Sequence, residues 1–176
     1  METGSIELMR RPATDELHTE RLVLTPLRVT DASEMVGVLA DTDLYSFTGA
    51  NPPDLEEVES RYRAQVIGPA RQDEAWHNWI LRLVRARIAI GFVQATVIND
   101  SAEFAWVVGT NWQNQGFATE AAKAMREWLT AEGVGEFTAH IHPDHAVSGK
   151  VATAIGLRAT AEVDSVGEVV WRSPSG

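Results

Sequence analysis

The residues with the clearest chemical potential lie in the run Trp112-Gln113-Asn114-Gln115-Gly116-Phe117-Ala118-Thr119-Glu120-Ala121. Apolar residues recur at Ala118, Ala121, Ala122, Met125, Trp128 and Leu129, which is helical spacing with one buried stripe. Glu120, Lys123, Arg126 and Glu127 fall on the opposite face, and Gly133 stands where a helix C-cap belongs. The apolar segment from Phe104 to Val108 reads as a strand leading into the run. A strand feeding such a turn aims several backbone N–H groups, and the positive end of the helix, at whatever lies in front of it. A phosphate or pyrophosphate is the ligand suited to that arrangement. Gly116 lets the backbone come close, and Ala118 is too small to obstruct it. Taken alone, the same pattern also suits an ordinary turn before a core helix.

A second constellation is His140-Ile141-His142-Pro143-Asp144-His145. It reads His-x-His-x-Asp-His, the zinc-binding spacing of metallo-β-lactamase-type hydrolases. Those enzymes need further His and Asp ligands well downstream, and the 31 residues after His145 include no histidine. The run is therefore read without a metal. Strand alternation puts His140 and His142 on one face, packed or bonded near an acceptor cleft.

Composition narrows the classes. The 176 residues form one domain able to bury a sizeable core. Residues 1–16 are polar and mixed and read as a flexible N-terminal segment, ahead of a single domain over 17–173. No apolar run approaches the length of a membrane span, and no signal-peptide core is present, so a cytoplasmic location is expected. The net charge of −10 disfavours nucleic acid and anionic membranes as partners. With no cysteine, disulfides, thiolate metal sites and a cysteinyl acyl-enzyme are excluded. Residues 31–60 carry eight Asp or Glu and no Lys or Arg, which suits either a cationic partner or a solvated helix face.

The elements that must position these groups follow from pattern. Arg21 to Leu27 is the first strand, and Thr30-Asp31 opens a helix through Leu39 with Thr30 as its N-cap. Leu44 to Phe47 is a short helical turn. Asn51-Pro52-Pro53-Asp54 opens a helix to about Val66, ended by Gly68 and Pro69. Strands at Trp76 to Val84, Ile88 to Val97 and Glu103 to Val108 have short links and suggest an antiparallel meander. Phe137 to His142 is another strand, Ala146 to Ile155 a short helix stopped by Gly156, and Leu157 to Val163 with Glu168 to Arg172 a closing hairpin across Gly167.

The spacing Gln113-x-x-Gly116-x-Ala118 resembles the acyl-coenzyme A signature of the GNAT acyltransferase superfamily, Gln/Arg-x-x-Gly-x-Gly/Ala. The longer Trp-x-x-x-Gly-Phe-Ala-Thr-Glu-Ala is most similar to its ribosomal-protein N-terminal acetyltransferase branch. The order of elements resembles that family from about residue 17 to 172. The resemblance implies an α/β (α+β) GNAT fold: a mixed, mostly antiparallel central sheet with a splayed strand pair and flanking helices.

It also implies a co-substrate, acetyl-CoA or another acyl-CoA, with no metal, and an amine acceptor, either a protein or a small molecule. Homodimers are frequent among relatives. Gln113, Asn114, Gln115, Gly116, Ala118 and Thr119 become diphosphate contacts. Backbone groups at Trp106, Val107 and Val108 would pair with the pantetheine arm like an added strand, with an N–H near Val108 serving the thioester oxygen. An amine must be neutral to attack, and a carboxylate can take its proton. Family members often place an acid on this strand, so Glu103 is the candidate base, unless it is a solvated strand-end residue. Many relatives protonate the leaving thiolate with a tyrosine, where this chain has Ala152. Ser148 is then the candidate donor, unless it bonds its own backbone. His145 stands where an asparagine is usual and remains a candidate coenzyme contact. Lys150 could attract a coenzyme phosphate, although an exposed surface lysine is the commoner case. A GNAT-like domain that binds acyl-CoA without transferring it is the contrasting reading.

Overall fold

The computed structural model describes residues 15–174, so the flexible segment expected over 1–16 falls almost wholly outside the described residues. One eight-stranded sheet runs β1 (Leu17–His18), β2 (Leu22–Pro26), β3 (Glu74–Leu83), β4 (Ala89–Ile98), β5 (Ser101–Val108), β6 (Glu136–Ile141), β8 (Val169–Arg172), β7 (Arg158–Val163) in spatial order. Four α-helices flank it: α1 (Ala32–Val38), α2 (Leu55–Ile67), α3 (Phe117–Ala131) and α4 (Ala146–Ala154). Every neighbouring pair is antiparallel except β5 and β6, which are parallel and joined by the α3 crossover. The mixed, mostly antiparallel sheet is as the sequence predicts. No helix among the described residues is long and apolar enough to cross a membrane.

Local chemistry sets the helix boundaries. Asp54 caps α2 through its Oδ1, which accepts the Glu57 N–H at 2.9 Å, while Glu57 Oε2 accepts the Asp54 N–H at 2.9 Å. The first helix starts later than its Thr30 cap predicts. Val29–Asp31 forms a 3-10 turn, the Arg28 N–H donates to Asp31 Oδ2 at 2.8 Å, and α1 begins at Ala32. Asp31 wins this position because its other oxygen also accepts from Arg82 at 2.8 Å, and Arg82 donates to Glu34 Oε2 at 2.6 Å. Much of the acidity of residues 31–60 is thus engaged within the chain.

Two apolar clusters hold the layers together. Ala121, Ala122, Met125 and Leu129 of α3 are fully buried against Leu22, Trp79, Val93, Ala102, Phe104 and Phe137. Met35 of α1 and Val58 and Tyr62 of α2 pack on Ile80 and Ala89 across the opposite face. Gly91 has a specific reason to be glycine. A Cβ there would sit 2.1 Å from the Val107 carbonyl oxygen, so β4 and β5 can approach at this point only without a side chain.

His77 on β3 is fully buried beside Trp79 and Trp128, and neither ring nitrogen has a hydrogen-bond partner among the described residues. Burial pushes its pKa down from 6.5 to about 4. The unfolded chain therefore takes up a proton near pH 6.5 that the folded chain refuses until about pH 4. This contribution is intact above pH 6.5 and is lost as pH falls through that window, by about 3 kcal/mol in all. His77→Leu should flatten the fall in urea midpoint between pH 6.5 and 4.5 relative to the parent. Parallel pH dependence in the two proteins would contradict it.

Candidate active site

The parallel pair β5–β6 is short. It registers Ser101 with Glu136, Ala102 with Phe137, Glu103 with Thr138 and Phe104 with Ala139, and then stops although both strands continue. The Gly109 N–H donates to the Ile90 carbonyl of β4 at 2.8 Å. Strand alternation therefore turns the N–H and C=O of Val108 and Trp106 away from β4, toward the gap. A slot of about 310 Å³ occupies it, a volume typical of a small-molecule site. Trp106, Val107 and Val108 form one side, His145, Ala146, Val147, Ser148 and Val151 the other, and Gln113 and Ala118 close one end. Asp144 and the loop residues Asp43, Leu44 and Phe47 complete the lining. That loop is anchored by Thr110, whose hydroxyl donates to Asp41 Oδ2 at 2.6 Å. Phe47 stacks on His145 with ring centres 4.3 Å apart, joining the loop to the start of α4.

At the end of the slot the chain turns into α3. Gly116 has φ +83° and Asn114 φ +58°, and no side chain caps the helix N-terminus. The first-turn N–H groups are left facing outward, as anion binding requires. Two side-chain amides that the sequence assigns to this site are bonded to the chain's own carbonyls. Gln113 donates to the Val108 carbonyl at 3.0 Å, and Gln115 to the Asn111 carbonyl at 3.2 Å. Asn114, Gln115, Gly116 and Thr119 lie on the turn, outside the slot lining.

Sequence reading missed the brace behind this turn. Arg21 donates to the Gln115 carbonyl at 2.8 Å, lies 4.4 Å from the Phe117 ring centre, and pairs with Glu120 Oε2 at 2.6 Å. Glu120 Oε1 also accepts from the Arg21 N–H at 2.9 Å and from Thr19. Burial pushes the Glu120 pKa up, but the Thr19 and Arg21 donors outweigh it and hold the carboxyl below its usual range. Glu120 is thereby turned backward onto Arg21. An ion pair spanning that much chain leaves no periodic trace in sequence.

Glu103 is not in the slot. It stands on the sheet face away from α3, with 59% of its side chain exposed and Oε2 3.7 Å from His140 Nε2. His140 Nδ1 is 2.7 Å from Asp164 Oδ2. The His140 contact first, and then the Glu168 amide, hold Asp164 below the usual carboxylate range. Asp164 Oδ1 accepts the Val166 and Glu168 N–H groups, each at 2.9 Å. His140, Asp164 and Glu168 bring one ligand-type atom each within 4.8 Å of one another. Both Asp164 oxygens take part in hydrogen bonds within this cluster. The His-x-His-x-Asp-His run does not converge: His142 Nδ1 accepts the Asp144 N–H at 3.2 Å, and His145 stacks on Phe47. Burial, and secondly His142, lower the His145 pKa.

Ser148 lines the slot, and its N–H approaches His145 Nδ1 at 3.5 Å. Ala152 is fully buried in the core. Lys150 is exposed and lines a larger cavity of about 560 Å³ beyond α4, with Trp171 and Gly149. That cavity adjoins neither the unpaired edge of β5 nor the uncapped end of α3, so the smaller slot is the better candidate. The Tyr45 hydroxyl donates to the Leu39 carbonyl at 2.9 Å, and Tyr62 is buried under α2; neither lines the slot.

No curated protein sequence matches the chain. Solved structures match its fold over nearly their whole lengths. An acetyltransferase (GNAT family) from Bacillus anthracis aligns at 17% identity and TM-score 0.74, covering 90% of this chain and 97% of that one. RimL, a ribosomal L7/L12 alpha-N-protein acetyltransferase, aligns at 12% identity and TM-score 0.75, covering 90% and 93%. MccE, a microcin C7 self immunity acetyltransferase solved with acetyl-CoA and AMP, aligns at 15% and TM-score 0.71, covering 88% and 93%. The family model described as acetyltransferase (GNAT) domain matches residues 21–158, which span α3, the slot and most of the sheet, and the chain accordingly belongs to the GNAT acetyltransferase family.

Proposed function

We propose that the protein moves an acyl group, acetyl in the simplest case, from coenzyme A to a primary amine by direct transfer within a ternary complex. The observation that carries this reading is the slot between the diverging strands, which ends at the uncapped N-terminus of a fifteen-residue helix. An extended arm with amide groups suits the unpaired edge of β5, and a diphosphate suits the turn. The coenzyme supplies an activated thioester and a thiolate that can leave.

The chain's own groups then divide the work. The N–H groups of the turn from Asn114 through Gly116 to Ala118 and Thr119 hold the diphosphate. Gln113 acts indirectly, by fixing the Val108 carbonyl and with it the end of β5. Trp106, Val107 and Val108 offer the strand edge, with His145 and Ser148 across from them. Ser148, in the slot lining, is the proposed proton donor to the departing sulfur. Glu103, on the open face, draws the cationic acceptor and helps to remove its proton. The fold likeness to RimL supports a protein N-terminus or lysine as acceptor, and that to MccE keeps a small-molecule amine as the second reading.

A free-thiol release assay with acetyl-CoA against peptides, polyamines and aminoglycosides separates the acceptor classes. If the purified chain binds the coenzyme yet releases no thiol with any of them, it is a binding domain and the transferase reading is wrong. Gly116→Val forces a branched side chain into positive φ and should weaken coenzyme binding roughly tenfold in calorimetry. Undiminished affinity would remove the diphosphate from this turn. Glu103→Gln should slow thiol release while leaving coenzyme affinity unchanged; an unaltered rate would exclude Glu103.

A further inference from the structure

Resting on that transferase reading, we propose that the acceptor is held as an ammonium between Glu103 and His140, and that His140, aligned by Asp164, is where the released proton comes to rest.

Three observations meet here. Glu103 lies on the second-last rung of the β5–β6 pair, and His140 is the first residue of β6 beyond the last rung. Both side chains stand on the face opposite the buried Ala102, Phe104, Phe137 and Ala139, at the point where the strands part. Their nearest atoms are 3.7 Å apart, too far for a hydrogen bond to each other but suited to sharing one donor nitrogen. Asp164 accepts from one side of the imidazole, which fixes the proton on Nδ1 and leaves the Nε2 lone pair toward Glu103. The Asp164 carboxylate is itself held by two turn amides, so the acceptor that orients the ring is fixed in place. Nothing in the run around His140 signals this partnership, since Asp164 arrives from the closing hairpin.

An alkylammonium between these groups donates one hydrogen to the Glu103 carboxylate and one to His140 Nε2. Transfer of that proton to Nε2 gives a neutral amine and an imidazolium whose charge Asp164 offsets. The amine lone pair forms the C–N bond as the C–S bond breaks. The second nitrogen proton makes good the one that the thiolate takes from Ser148, and the imidazolium returns its proton to water. Glu168 and the Glu162–Arg172 pair lie on the same hairpin, and Arg172 registers with Thr138, two positions before His140. The Glu162–Arg172 pair is neutral, so the acidic groups around His140 are Glu103, Asp164 and Glu168, which favour a cationic acceptor over a neutral one.

The test uses the full chain, acetyl-CoA, and whichever amine supports thiol release. His140→Ala should lower kcat by roughly 10² to 10⁴, the usual share of a general base, with coenzyme affinity unchanged. Free imidazole should restore a substantial part of that rate, which a merely structural role would not allow. Asp164→Asn keeps the carbonyl that holds the turn but presents an N–H to the ring, and should cost about as much as His140→Ala, the double variant losing little more. Glu103→Gln should raise KM for the amine more than it lowers kcat. A wild-type protein that releases thiol while His140→Ala keeps its rate, or stays silent to imidazole, overturns the role of His140 and leaves the transferase reading standing. A wild-type protein that binds coenzyme but transfers to no amine overturns both.

Discussion

The structure depends on one refusal to pair. β5 and β6 share four rungs and then separate, although each has further residues in extended conformation. Unpaired backbone polar groups inside a protein are costly, so a gap of this kind persists only where something else fills it or is meant to. The first turns of α4 stand beside the opening, contributing Ser148 and Val151, and Trp106 lines it from the other side. On the far flank of β5, Gly91 lets β4 press close enough that any side chain would strike the Val107 carbonyl. β5 is therefore held firmly along one edge, while beyond Phe104 its other edge pairs with no strand. That asymmetry is what a single extended ligand can use.

Two sets of contacts keep the free edge presentable. Behind the turn, Arg21 and Glu120 tie the start of α3 to the beginning of β2, so the helix end faces the slot without an acidic side chain in front of it. In front, the Asp41–Thr110 bond and the Phe47–His145 stack bring the loop after α1 down over the slot. The proposed coenzyme site is thus offered by main chain and braced by side chains behind it. The proposed base is different in kind. Glu103 and His140 stand on the other face of the sheet, and Asp164 of the last hairpin contacts the His140 ring.

How much of this could be read from the sequence follows from which interactions are local. The α3 stripe, the Gly116 turn, the Asp54–Glu57 box and the Gly156 stop depend on residues a few positions apart, and their periodicity or spacing is visible in the chain. The family resemblance names Trp106, Val107, Val108, Gln113, Ala118, His145 and Ser148, and the structure brings these to one slot. Thr30 fails as a cap because Arg82, from a distant strand, recruits Asp31. Residues 31–60 look like a free acidic surface for the same reason, since their arginine and hydroxyl partners are remote. The Arg21 brace and the Asp164–His140 contact are likewise long-range pairs with no pattern of their own. Gly91 is the one exception with a usable signal, as a glycine inside a strong strand marks a close backbone approach.

The central claim is that the gap between β5 and β6 and the α3 N-terminus form one continuous coenzyme site. A crystal structure of the protein with coenzyme A tests it most directly. The account predicts a diphosphate on the amides around Gly116 and the pantetheine arm lying along Trp106 to Val108. A diphosphate seated elsewhere, for instance in the cavity beside Trp171, with the strand gap empty, would contradict it.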